Sequence, residues 1–221
     1  VTPLIVAGVS ALGLVAGAYV RVFAGGFGPV GHPGEVRDAI GVAARTPPVP
    51  RSPYIAEAAT ALAAALVVWR ITGAGGWVTA AWSYAIVAGV ALALIDWRTL
   101  RLPDVITLPS YPVLLALLAP SGRLSGALAT AAAFASLYAV MWFVHPTGIG
   151  LGDVKLAGLI GLLTGAIGVR TTVAAVMGGF LLGALYAVAL LVARRATRKS
   201  EFPFGPFMLV AALAAAALPL E

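Results

Sequence analysis

Apolar runs about as long as a membrane is thick follow one another along this chain and leave it few ways to fold. Of its 221 residues, 61% are hydrophobic and 10% are charged, and mean hydropathy is +1.02. Charged residues approach a quarter of an ordinary soluble domain, so a soluble fold is excluded. A spanning helix needs about 20 mostly apolar residues. The runs predict an all-α, polytopic membrane helix bundle with about eight transmembrane helices, at 4–23, 54–71, 77–97, 105–119, 124–144, 154–169, 172–193 and 206–219. The first run has no basic segment before it and Arg21 after it, which reads as a retained span rather than a signal peptide. Pro109 and Pro112 predict a kink or a late start in the fourth helix.

The connections carry the charge. Eleven of the fourteen Lys and Arg fall in alternate loops, and Arg70, Arg123 and Arg170 fall in the others. The positive-inside bias puts the richer set in the cytoplasm and both termini outside. The net charge of +6 therefore reads as topology signal and contact with anionic lipids of the bilayer, not as a nucleic-acid surface. Trp69, Trp77, Trp97 and Trp142 lie near helix ends, as interfacial aromatics do. The expected organisation is one membrane domain over 1–221. Its longest loop, 24–53, is rich in Gly and Pro, with one short helix near 35–44. The chain has no cysteine, which excludes disulfides, thiol nucleophiles, iron–sulfur clusters and cysteine-bound zinc. His32 and His145 lack partners at ligand spacing, so no metal site is expected.

Against this background two carboxylates stand out. Asp96 closes the apolar run of ALALIDWRTLRLPD (91–104), and Asp153 ends the glycine-spaced GIGLGD of GIGLGDVKL (148–156). A carboxylate beside hydrocarbon is costly and marks a functional site by default. Both fall on the same side of the membrane in the predicted topology, as a catalytic dyad requires. Asp153 at a helix start is favoured as an anion, with Lys155 two residues on, and Asp96 near a helix end as the neutral acid; Arg98 and Arg101 near Asp96 leave the opposite assignment open. Gly148, Gly150 and Gly152 allow positive φ and close backbone approach beside Asp153. The competing reading of GxGD is a helix-start turn with an Asp cap. A dinucleotide fingerprint is not supported, since no βαβ unit surrounds it. Glycines at three- and four-residue intervals in 158–165 and 178–183 read as helix-packing stripes. Asp104 reads as an N-cap for the next helix, and Lys155 as a neutraliser of Asp153.

Taken together, IDWRTLRLPDVITLP (95–109), GIGLGDVKL (148–156) and EFPFGPFMLVAAL (201–213) resemble, in order and approximate spacing, three signatures of the type IV prepilin peptidases, a family of GxGD intramembrane aspartic proteases. The similarity is strongest over 90–221, the expected catalytic core, and weaker over 13–24 and 51–66. The resemblance implies Asp96 and Asp153 as the catalytic pair; from the residues themselves Gly150, Gly152, Lys155, Asp104 and Glu57 are candidates for supporting or substrate-binding positions. It also implies that the enzyme cleaves the basic leader from prepilin or pseudopilin precursors, at the cytoplasmic face of the bacterial plasma membrane. Glu57 matches an acidic position of the family and could accept the basic leader; an ion pair with a loop arginine is the plainer expectation. FPFGP (202–206) is expected to be the turn that opens the last helix. Many members carry paired CxxC motifs in the first cytoplasmic loop and also N-methylate the product. Here the loop lacks cysteine, so a zinc-stabilised loop is ruled out. Proteolysis needs no cofactor, and S-adenosylmethionine has a role only if methyl transfer is retained. The rival readings are a proton-coupled transporter relaying protons through the two aspartates, and a scaffold that binds pilins without cutting them.

Overall fold

The computed structural model describes residues 3–28, 35–145, 148–195, 197 and 200–218. His32, Arg198 and Lys199 lie outside them. Among the described residues there are nine α-helices and no strand: α1 Pro3–Ala24, α2 Glu35–Arg45, α3 Ile55–Arg70, α4 Gly76–Thr99, α5 Asp104–Leu118, α6 Leu124–Val144, α7 Leu151–Gly165, α8 Val169–Val192 and α9 Gly205–Ala217. The eight expected apolar helices are all present, and α2 is the short helix expected in the long loop. Five apolar segments are long enough to cross a membrane: Leu4–Ala24, Gly76–Thr99, Asp104–Ser121, Leu124–Val144 and Val169–Val192. The fold is a polytopic helical membrane bundle. With 16, 15 and 13 residues, α3, α7 and α9 are shorter. At 1.5 Å per residue, even α3 reaches only about 24 Å, against a hydrocarbon core of about 30 Å.

Two boundaries differ from expectation. Helix α5 starts at Asp104 and runs unbroken through Pro109 and Pro112. Within it the Thr107 and Ser110 hydroxyls donate to the carbonyls of Pro103 and Ile106. Helix α7 ends at Gly165 and α8 begins at Val169, three to four residues early, because the chain turns at Ala166–Gly168. Arg123 Nη1 donates to the Ala166 carbonyl of that turn at 3.1 Å.

The chain forms two compact units, Val1–Arg101 and Leu102–Glu221. In the first, α1 packs on α3 through glycine. A β-carbon on Gly13 would lie 2.7 Å from the Ala61 α-carbon, and one on Gly17 2.6 Å from that of Glu57. No side chain larger than hydrogen fits there, and in lipid such close approach replaces the hydrophobic drive. Arg101 lies 3.6 Å from Glu35, whose carboxylate accepts the Gly28 N–H and fixes the start of α2.

In the second unit α7 is the central element, with every residue from Leu156 to Thr164 buried. Gly161 and Gly165 lie against α6, and Gly158 against the Tyr111 ring of α5. Thr130 of α6 reinforces this seam, its hydroxyl lying 2.9 Å from the Gly161 carbonyl. Gly178 and Gly179 of α8 face Ala211 and Met208 of α9. The stripes of 158–165 and 178–183 are helix-packing stripes. Outward side chains such as Leu4, Leu12, Leu62, Phe143 and Val192 are exposed, as befits lipid-facing positions. Trp69, Trp77 and Trp97 are exposed near the ends of α3 and α4.

Candidate active site

Asp96 belongs to the first unit and lies one turn from the end of α4. It is 5% exposed, beside the buried Ile95. Its carbonyl accepts the N–H of Leu100 at 2.8 Å. Leu100 ends the helix in the left-handed region, at φ 54. That conformation is uncommon for a bulky residue, and such strain clusters at functional sites. The carboxyl lies toward the C-terminal end of α4.

Asp153 belongs to the second unit and is the third residue of α7. Its partly buried carboxylate reaches back over the helix start. Oδ2 accepts the Gly150 N–H at 3.0 Å, while the Asp153 N–H donates to the Gly150 carbonyl at 3.0 Å. The Asp153 side chain thus caps the start of α7, as the acidic half of a capping box does, and the helix-start turn foreseen for GxGD is present. Burial, the larger effect, pushes the Asp153 carboxyl above its ordinary range, whereas the helix dipole and the Gly150 N–H favour the charged form.

The flanking glycines are not used for positive φ. Among the described residues only Gly75 and Gly122 are left-handed glycines, and Gly150 has φ −82. What the glycines give is space: a β-carbon on Gly152 would sit 3.0 Å from that of Leu102, and one on Gly148 2.6 Å from the His145 ring.

Lys155 does not neutralise Asp153. Its Nζ donates to Asp104 Oδ1 at 2.5 Å, joining α7 to α5. Asp104 is correspondingly not an N-cap: it is the first residue of α5, and the cap position is Pro103, with no side-chain cap bond. The lysine extends along α5 because the Tyr111 hydroxyl, donating to the Lys155 carbonyl at 2.8 Å, docks α5 there. Both charges are partly solvent-facing, so the pair is worth about 0–1 kcal/mol. Its effect is to hold the start of α5 beside the Asp153 turn.

Glu57 forms the expected ion pair. Arg21 Nε donates to Oε1 at 2.8 Å, and the Arg51 N–H lies 3.4 Å from the same oxygen. Arg21 also donates through Nη2 to the Val49 carbonyl at 2.7 Å, tying α1, α3 and the intervening loop together. Glu57 is 1% exposed. Among the described residues no three His, Asp or Glu side chains form a metal-holding group.

One buried polar group has no counterpart in the sequence reading. Tyr138 of α6 is fully buried, and its hydroxyl has no hydrogen-bond partner among the described residues. Its ring contacts Phe134 of α6, Phe180 of α8 and Phe204, with centroids 5.0, 5.3 and 6.2 Å away. Phe204, central in FPFGP and the N-cap of α9, lies against Gly183, where a β-carbon would sit 2.6 Å from its ring. The available signal was a single hydroxyl-bearing ring in an otherwise apolar run, seven residues on from Ala131, which faces Gly161.

Residues 82–188, which include both aspartates, match the type IV leader peptidase family. The chain is 30% identical to the prepilin leader peptidase/N-methyltransferase of Pseudomonas aeruginosa over 169 residues, 71% of this chain and 55% of that protein. It is 32% identical to the Bacillus subtilis protein of the same name over 120 residues, 53% of this chain and 47% of that one. The corresponding Aeromonas salmonicida protein is 29% identical over 164 residues, covering 71% and 55% of the two chains. The chain thus spans about half the length of the curated relatives it matches. No solved structure matches it. A helical membrane architecture with both aspartate motifs inside the matched stretch agrees with these similarities, and over residues 82–188 the chain is similar to the type IV leader peptidase family.

Proposed function

We propose that this protein is a membrane-embedded aspartic endopeptidase that removes the basic leader from prepilin-like precursors at the cytoplasmic face of the bacterial plasma membrane. The observation that carries the reading is the pair of aspartates in contrasting helical settings, both inside the stretch matched by the leader peptidase family. Asp96 is buried at the end of α4, and Asp153 is tethered at the start of α7. Peptide hydrolysis by two carboxylates needs one as base and one as acid. Asp153, the anion, takes a proton from water as the water oxygen attacks the scissile carbonyl carbon. Asp96, the neutral acid, donates to the carbonyl oxygen. The tetrahedral intermediate collapses as the C–N bond breaks: the leaving nitrogen takes the proton held by Asp153, and a hydroxyl of the intermediate returns its proton to Asp96. The two groups titrate as a coupled pair.

A precursor with basic residues ahead of an apolar helix would present its cleavage point at the inner interface. The positive-inside bias puts both aspartates on that side. The bilayer, including its anionic lipids, is the other partner. The cysteine-free chain supports proteolysis without methyl transfer.

The test is cleavage of a co-expressed precursor by Asp96→Asn and Asp153→Asn. Each change is expected to lower cleavage by about 10²–10⁴-fold or more. Cleavage that survives either substitution overturns the aspartic reading, and a transporter or scaffold gives no Asp-dependent cleavage at all. Labelled S-adenosylmethionine is expected to leave the new amino terminus unlabelled; stoichiometric label would add methyl transfer.

A further inference from the structure

The packing of α6 on α7 fixes which residue stands beside Asp153. Gly165 meets the Ala127 backbone and Gly161 that of Ala131, so four residues forward in α6 correspond to four back in α7. Seven residues, two helical turns, restore the same face. Seven forward from Ala131 is Tyr138, and seven back from Gly161 is Val154, next to Asp153. The antiparallel register therefore brings Tyr138 level with Val154, one residue from Asp153. Tyr138 is 0% exposed, and its hydroxyl has no hydrogen-bond partner among the described residues. Three aromatic rings hold it in place. A buried hydroxyl left unpaired is destabilising. A rigid side chain that carries such a group beside a functional carboxylate has the form of a preorganised donor.

We propose that Tyr138 is a positioning residue for hydrolysis, its hydroxyl holding the attacking water against the free oxygen of Asp153. The inference rests on the aspartic reading above. Asp153 Oδ2 is engaged by the Gly150 N–H, which leaves Oδ1 to act on the water. The phenol oxygen offers lone pairs and one proton, and a water between it and Oδ1 would be oriented from both sides. Lys155 and Asp104 pair with each other, and the Tyr111 hydroxyl is committed to the Lys155 carbonyl.

The experiment is Tyr138→Phe in the full chain, purified in detergent and assayed on a purified precursor, with thermal unfolding followed in parallel. Phe keeps the ring and its aromatic neighbours and removes only the oxygen. The expected result is a fall in kcat of about tenfold with KM changed by less than about twofold. The midpoint of unfolding is expected to be unchanged or higher, because an unpaired buried hydroxyl is gone. A variant that is at least as stable but slower is what a merely structural tyrosine cannot give. A kcat within about twofold of the parent, a rise in KM alone, or a loss that follows the amount of folded protein overturns the proposal. Asp153→Asn is measured beside it. If that variant still cleaves, the aspartic reading falls. If it is inactive while Tyr138→Phe is unimpaired, only the role of Tyr138 falls.

Discussion

Three carboxylates are deeply buried among the described residues, and each has a different setting. Glu57 faces Arg21, Glu35 lies near Arg101, and Asp96 sits in the closing turn of α4. A buried charge that loses its partner costs far more than the pair contributes net. Arg21→Ala strands the Glu57 carboxylate, so it is expected to destabilise by about 3 kcal/mol. Glu57→Gln leaves only a guanidinium that is partly solvated, and is expected to cost about 1 kcal/mol. Thermal unfolding in detergent ranks the two, and the reverse order would show that Glu57 is not held as an anion. Leu100 allows a second test. In the left-handed region a leucine is disfavoured by roughly 1–2 kcal/mol relative to glycine. Leu100→Gly, at the same φ of 54, is expected to raise the unfolding midpoint. A lower midpoint would mean that the leucine side chain contributes packing that outweighs the backbone strain.

Helices are held here by what glycine leaves out. Gly161→Ala puts a β-carbon 2.6 Å from the Ala131 α-carbon, and backbone cannot yield as a side-chain tip does. It is expected to destabilise by about 1–3 kcal/mol. Gly8→Ala on α1 meets nothing within 4 Å and is expected to stabilise by about 0.5–1 kcal/mol through helix propensity. Unfolding measurements on the two variants should therefore move in opposite directions. Both the helices and these stripes could be read from the chain, because apolar length and small-residue spacing are local quantities. The prolines of α5 do not delay its start, since the backbone bonds they remove are a local cost that docking on α7 offsets. The aspartate motifs were legible for the same local reason. The partner of Lys155 was not: Asp104 lies 51 residues away, and spacing cannot say which carboxylate an ammonium will reach. Nor was Tyr138, whose place beside Asp153 follows only from the register of two helices.

For the whole molecule the open question is sidedness, and the cysteine-free sequence makes it accessible. A single thiol can be introduced against no background. Ser52 is exposed before α3, and Gly73 is exposed after it, with open space at its β-carbon. The charge bias predicts that a membrane-impermeant maleimide added to intact cells labels Gly73→Cys at once. Ser52→Cys should react only after permeabilisation. Reversed labelling would invert the topology and move the proposed site to the opposite face.

The seam between α6 and α7 also has a mechanical meaning. With Gly161 and Gly165 fitted against Ala131 and Thr130, there is no slack for a gradual slide. The next registers that refill the notches are a full pitch away, about 5.4 Å. Such a joint has the form of a coarse-toothed ratchet, with stops one helical turn apart and nothing between them.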